Sequence, residues 1–346
     1  MAMAQAARSG LGGGLVRCIS AALAAVGVAV GATSHASEEP LWAWGFRVPV
    51  GARVTTTAPS VEPRPQGLLH VAGSKARFTR AQIVNPFAPA DWFPEDHPPM
   101  PEIVAHGARA PGIEVYACAF CHLPNGHGRP ENANLTGLTS EYILQQLKDF
   151  RDGARQTSDP RKTNTALMVQ YAKGLSEAQM EQAARYFSAI PVKRWTRVVE
   201  SKTVPKTRSD NGLFLALAGV DAGREPLGNR IIEMPEDAYQ TEMLRNPRVG
   251  FVAYVPRGAV QRGERLVRTG AHGMPRCATC HGADLRGMGQ APRLAGVSPS
   301  YIARQLYDIQ TGHRAGRFTA LMMPVAKELT AADTLAIAAY LASLPP

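Results

Sequence analysis

Two pentads carry the reactive side chains of this 346-residue chain, "CAFCH" at 118–122 and "CATCH" at 277–281. Two thiols three residues apart, followed at once by an imidazole, allow three kinds of chemistry. They can clip a zinc ion, cycle as a dithiol–disulfide pair, or fix a haem as two thioethers with the His as an iron ligand. A zinc site wants two further Cys or His in each unit, and His127 and His313 do not occupy equivalent positions in the two halves. A thioredoxin-like pair wants a strand–helix–strand setting and gives the His no role. Covalent haem uses all three residues: the thiols of one helical turn reach two vinyl groups, and the adjacent imidazole lies under the iron.

The pentads open two copies of one unit. "LTGLTSEYILQQLKDFRDGAR" (135–155) aligns with "LAGVSPSYIARQLYDIQTGHR" (294–314) at an offset of 159, the same as between Cys118 and Cys277. Further on, "LMVQYAKGLSEAQMEQAARYFSAI" (167–190) aligns with "LMMPVAKELTAADTLAIAAYLASL" (321–344) at 154, so the first copy holds five extra residues near "TSDPRK". Such self-similarity decides architecture before any local pattern does.

Helices must position these groups. In the first copy a Ser/Thr start, apolar residues at Tyr142, Ile143, Leu147 and Phe150 and a Gly153 stop predict an amphipathic helix, and the second copy repeats the spacing up to Gly312. Ser176 before an acidic residue predicts a capped helix, and "LTAADTLAIAAYLASL" predicts its twin. The Gly-, Pro- and Asn-bearing stretch after each pentad reads as loop. Residues 37–100, Pro- and Trp-rich ("FAPADWFPEDHPPMP"), read as an irregular extension. Residues 193–256, with "RWTRVVESKTV" and "GFVAYVP", read as a partly β inserted connection that is too long for a bare linker. The division predicted is 1–36 leader, 37–100 extension, 101–192 first domain, 193–256 insertion and 257–346 second domain.

The leader reading rests on Arg8 and Arg17, the apolar run 18–32 and small residues Ser34 and Ala36 at a cleavage position. That run is short for a membrane span of about 20 residues, so a cleaved export signal and a periplasmic protein without a span are expected. Cleavage removes Cys18, leaving every remaining Cys inside a pentad and none for the disulfides usual in exported chains. It also lowers the net charge from +10 to +8 by taking two Arg and no acid. There is no dense Lys/Arg block, and export argues against a nucleic-acid partner.

A low-spin electron carrier needs a second axial ligand, and Met raises the potential relative to a second His. The repeats pair Met168 with Met322, each preceded by Leu and followed four residues later by Ala172 or Ala326. Met323 is the near rival but aligns with Val169, and Met180 aligns with Thr334 and reads as core. Trp42, Trp44, Trp92 and Trp195 read as packing residues, and His70, His97 and His106 as surface or hydrogen-bonding groups.

With the pentads, the "L-x-G" segments, the paired Met and the final "ARYFSAI" and "AAYLASL" helices in place, the chain resembles the class I cytochromes c, in particular the tandem di-haem type. The resemblance covers roughly 101–192 and 257–346. It implies a mainly α fold of two helical domains, each enclosing a covalent haem c with one exposed edge, and "GAVQRGERLV" (258–267) resembles the family's first helix. It implies Cys118, Cys121, Cys277 and Cys280 as attachment residues, His122 and His281 as proximal ligands and Met168 and Met322 as distal ligands. In the family a Pro carbonyl often receives the proximal His; Pro292 matches, whereas Ala133 stands in the first copy. The first domain also matches the family's first helix poorly. The expected function is electron transfer between redox proteins, with a dehydrogenase or terminal oxidase as candidate partner. The alternatives are a subunit of such a periplasmic complex and a di-haem peroxidase-like enzyme, which would need one iron left open.

Overall fold

Capping residues set the helices of both repeats. The computed structural model describes residues 67–346 apart from 161, 211 and 271, all within one compact unit. In the first domain α1 is Cys118–His122, α2 Ser140–Arg151, α3 Thr163–Gly174 and α4 Glu177–Ser188; in the second α5 is Ala259–Thr269, α6 Ala278–His281, α7 Pro299–Gln310, α8 Met322–Glu328 and α9 Ala331–Ser343. Thr139 caps α2 and Ser298 caps α7, each side chain accepting from the backbone of the equivalent tyrosine, Tyr142 or Tyr301. Ser176 with Gln179, and Thr330 with Asp333, close reciprocal capping boxes on α4 and α9. The mainly helical tandem fold expected from the repeats is present.

Each domain closes its core by crossing helices. In the second, α5 lies against α9 so tightly that a Cβ on Gly263 would sit 1.9 Å from the Ala336 carbonyl oxygen. In the first, described residues show no counterpart of α5. The single-turn helix Glu102–Ala105 and the strand pair Ala108–Ala110 and Ile113–Val115 stand there instead. Ile103 and Val104 supply the apolar contacts to a core of Ile143, Phe150, Met180 and Phe187, which accounts for the poor helical pattern before the first pentad.

The inserted segment is partly β. Thr196–Glu200 runs parallel to Phe251–Val255, and Ile232–Pro235 pairs antiparallel on the other side of the latter. The chain thus leaves the first domain and enters the second along adjacent strands. The extension is fastened to this segment: Trp92, 1% exposed, donates from Nε1 to the Leu244 carbonyl at 2.7 Å, and Arg248 bonds Asp96 at 2.7 Å while lying over the Phe93 ring. The leader (1–36), Trp42 and Trp44 lie outside the described residues.

Asp333 joins three elements of the second domain. It accepts from Thr330 at 2.6 Å, from Arg262 of α5 at 2.7 Å and contacts His272 Nε2 at 3.1 Å. Burial acts to raise its pKa, but the Thr330, Arg262 and His272 bonds outweigh it and hold the carboxyl well below the usual Asp range. A lowered carboxyl stabilises the fold above its unfolded pKa, and this stabilisation is lost as pH falls through the folded value. Asp333→Asn is therefore expected to lower the melting temperature at pH 7 and to differ less from the parent as pH falls below about 4. Thermal unfolding across that range checks it; a constant difference refutes it.

Candidate functional site

Each pentad forms one helical turn, α1 or α6, whose His donates from Nδ1 to a backbone carbonyl of the following loop. His122 reaches Ala133 at 2.9 Å and His281 reaches Pro292 at 2.8 Å. A carbonyl can only accept, so the proton is on Nδ1 and Nε2 keeps its lone pair for a metal. The residue departure noted at Ala133 has no geometric consequence, because the bond uses backbone. Chain exit after the pentad does differ. Gly282 takes φ +84°, whereas Leu123 is held at φ +62° with ψ 154°, a conformation costing a side-chain-bearing residue about 1–3 kcal/mol.

Two cavities, of about 310 Å³ in the first domain and about 430 Å³ in the second, are walled by these turns. Cys118, Cys121, His122 and Met168 line the first; Cys277, Cys280, His281 and Met322 line the second. Met168 comes from α3 and Met322 opens α8. Met323 lines neither cavity, and Met180 is fully buried in the first core. Met274, which sequence reasoning did not weigh, also lines the second cavity; its repeat partner is Val115, so the pairing rule that selects Met168 and Met322 does not select it. His70, His97 and His106 line neither cavity and bond to Ser74, Asp91 with Pro98, and Phe87 respectively.

The lining fits a covalently bound haem. Apolar walls of this size, with a few polar groups, are usual for cofactor sites. Burial is the largest influence on both imidazoles and lowers their pKa, keeping them neutral as metal ligands must be. Burial pushes the Cys118 thiol up to about 12, the reverse of the lowered pKa of a redox-active thiol. Among the described residues no group of three His, Cys, Asp or Glu gathers as a zinc site would.

The cavities share a wall. Leu138, Tyr142, Tyr301 and Gln305 line both. Residues related by the 159 offset build a reciprocal network there. Arg155 donates to Tyr301 Oη at 2.9 Å and Gln305 at 3.0 Å, while Arg314 donates to Tyr142 Oη at 2.6 Å and Gln146 at 2.9 Å. Backbone bonds from Gln156 to His313 at 2.7 Å and from Ala315 to Ala154 at 2.8 Å zip the two arginine segments together. Both guanidinium groups are buried, bond only neutral partners among the described residues, and leave Arg314 Nε unsatisfied. Buried cations are costly without negative charge nearby; the Asp308 carboxylate acts electrostatically on both, and the acidic groups of a haem held in these cavities would add to it. Identity of Tyr, Gln and Arg in both repeat strings was the available sequence signal for this network.

One lining residue had no such signal. Arg245, in the insertion, bonds the Phe120 carbonyl, lies 4.5 Å over the Phe120 ring and lines the first cavity. It reaches into the pentad from 125 residues away.

The cytochrome c family model matches residues 110–190 and 260–345. The chain is 30% identical to a thiosulfate dehydrogenase electron acceptor of Thiomonas intermedia over 237 residues, 67% of this chain and 80% of that one. It is 25% identical to cytochrome c4 of Stutzerimonas stutzeri over 250 residues, 69% and 90% of the two chains. A solved cytochrome c4 from Acidithiobacillus ferrooxidans superposes with a TM-score of 0.43 at 25% identity, covering 66% of this chain and 98% of that one.

Proposed function

Since the chain belongs to the cytochrome c family, as a tandem di-haem electron-transfer protein, we propose that Cys118 and Cys121 attach one haem c and Cys277 and Cys280 the other. His122 and Met168 ligate the first iron, and His281 and Met322 the second. The functional division is 101–192 and 257–346 for the haem domains, with 37–100 and 193–256 added to them. Haem c supplies one-electron chemistry. The chain's part is to fix the ligands, exclude water and balance charge. Each Nδ1–carbonyl bond orients an imidazole and raises its basicity at Nε2. The matched pair of such bonds, each in a cavity that also holds a repeat-related Met, is the observation that carries the assignment.

We further propose that the protein is exported and accepts electrons from a dehydrogenase of reduced sulfur compounds. Similarity to the thiosulfate dehydrogenase electron acceptor over 80% of that protein supports this partner. No helix of the described residues is long and apolar enough to cross a membrane. A peroxidase-like site would leave one iron open, and a Met beside each pentad speaks against that.

Single Met168→Ala and Met322→Ala variants test the ligands. Each should halve the Met–iron charge-transfer absorption and lower one midpoint potential by on the order of 0.1 V, given that axial ligands span about 0.8 V. Met274→Leu should leave both unchanged. An intact band in Met322→Ala with a halved band in Met274→Leu would move the second ligand to Met274.

A further inference from the structure

The two pentads are chemically alike, yet the loops around them meet solvent very differently. From Ala117 to Thr136 no residue of the first domain is exposed. In the equivalent stretch of the second domain Thr279, Cys280, Asp284, Arg286, Met288 and Gln290 are exposed. The position of buried Asn125 is taken by Asp284, that of buried His127 by Arg286, and that of buried Glu131 by Gln290. Cys280 is exposed, whereas Cys121 is half-buried.

Segments foreign to the repeat cause the difference. Asn125 donates to the Pro247 carbonyl at 2.7 Å, and Arg129 pairs with Glu242 at 2.7 Å. His127 stacks on Trp195 with ring centroids 4.6 Å apart. Arg245 covers Phe120, and Pro86 of the extension accepts from Ala117 N at 2.9 Å. Insertion and extension thus bury the Cys121 side of the first cavity. Of the residues lining that cavity only Gln156 and Leu167 are exposed, neither in the pentad nor in the loop that follows it.

The second cavity opens among Pro275, Arg276, Cys280, Gln290, Arg317 and Leu321, all exposed. Leu321 is 84% exposed and Met288, on the adjoining loop, 56%. Arg276 and Arg317 are the exposed charged residues lining this cavity, with no carboxylate in the lining, and on the adjoining loop Arg286 stands 3.9 Å from Asp284. Exposed apolar residues ringed by one sign of charge mark a protein contact whose partner carries the opposite sign.

On the haem assignment proposed above, we infer that this protein exchanges electrons with its partner through the Cys280 face of the second domain, and that the partner is a redox protein presenting an acidic surface there. The first domain exchanges electrons with the second across their shared wall. One electron passes to each oxidised acceptor, so a fully reduced chain reduces two acceptor molecules in succession at this single face.

Oxidised plant plastocyanin, an acidic copper protein, serves as the probe acceptor in stopped-flow experiments with the reduced holoprotein. The second-order rate should fall steeply with rising salt. In an Arg276→Glu, Arg317→Glu variant the low-salt rate should drop at least tenfold and the salt dependence should flatten or reverse. A Lys173→Glu, Arg185→Glu variant, carrying the same charge change on exposed residues of the first domain, should stay within twofold of the parent. An unchanged rate in the Arg276/Arg317 variant overturns the proposal, as does equal slowing in both variants. Pyridine haemochrome absorbance of two haems per chain in every sample separates these results from failure of the haem assignment.

Discussion

A Cys118→Ala, Cys121→Ala variant should carry one covalent haem per chain instead of two, and the amides of its first domain should lose protection from hydrogen exchange. The cavity these thiols wall is about 310 Å³. Its walls are mainly apolar, and without a haem they face water instead of a packed partner, which removes part of the ~5–15 kcal/mol that holds a whole protein folded. Part of the core faces the cavity: Met168, Leu135 and Leu147 are only partly buried and line it. Without a cofactor to meet, their apolar surface has no partner. The second domain, with its own core of Val267, Ile302, Leu335 and Tyr340, should keep its haem. Mass spectrometry and haem-to-protein ratio read the first part, and exchange by segment reads the second. Two covalent haems, or unchanged protection across 140–188, would refute the expectation.

Gly263→Ala should destabilise the second domain by about 3 kcal/mol, at the upper end of the overpacking range. The added Cβ would lie 1.9 Å from the Ala336 carbonyl oxygen and 2.7 Å from Tyr340 Cβ. Backbone cannot step aside as a flexible side chain can, so α5 and α9 must separate. That separation loosens Val267, Leu335 and Ala339, which form one core cluster. At about 2–4 °C per kcal/mol, the melting temperature should fall by roughly 6–12 °C. Intrinsic helix propensity opposes this by favouring Ala over Gly by about 1 kcal/mol, so a rise in melting temperature would show that the helices do not cross this closely. Calorimetry of the holoprotein decides between them.

Much of this was legible because chemistry repeats at a fixed offset. The pentads, the paired Met and the helix caps are short-range patterns, and their recurrence separates them from chance. Tyr142 shows where such reading stops. Its spacing places it on the apolar face of α2, and its ring is buried, but its hydroxyl serves Arg314, 172 residues away. Periodicity reports which face is inside and not which polar atom waits there. Arg245 lies outside the repeats and His127 aligns with Arg286, so the offset is silent about what they do. The missing first helix was legible only as a poor match, because its substitute draws on Ile103 and Val104 within a stretch too short to show a period.

The crossed tyrosine–arginine pairs separate the unit that repeats in sequence from the unit that can stand alone. Each copy lacks a piece of its own container: Tyr301 and Gln305 wall the first cavity, and Tyr142 and Leu138 wall the second. Cutting the chain between the copies would leave two half-open bowls, each with a charged rim turned to water. Any recombination that exchanges one copy must therefore respect a lock whose key is kept in the other.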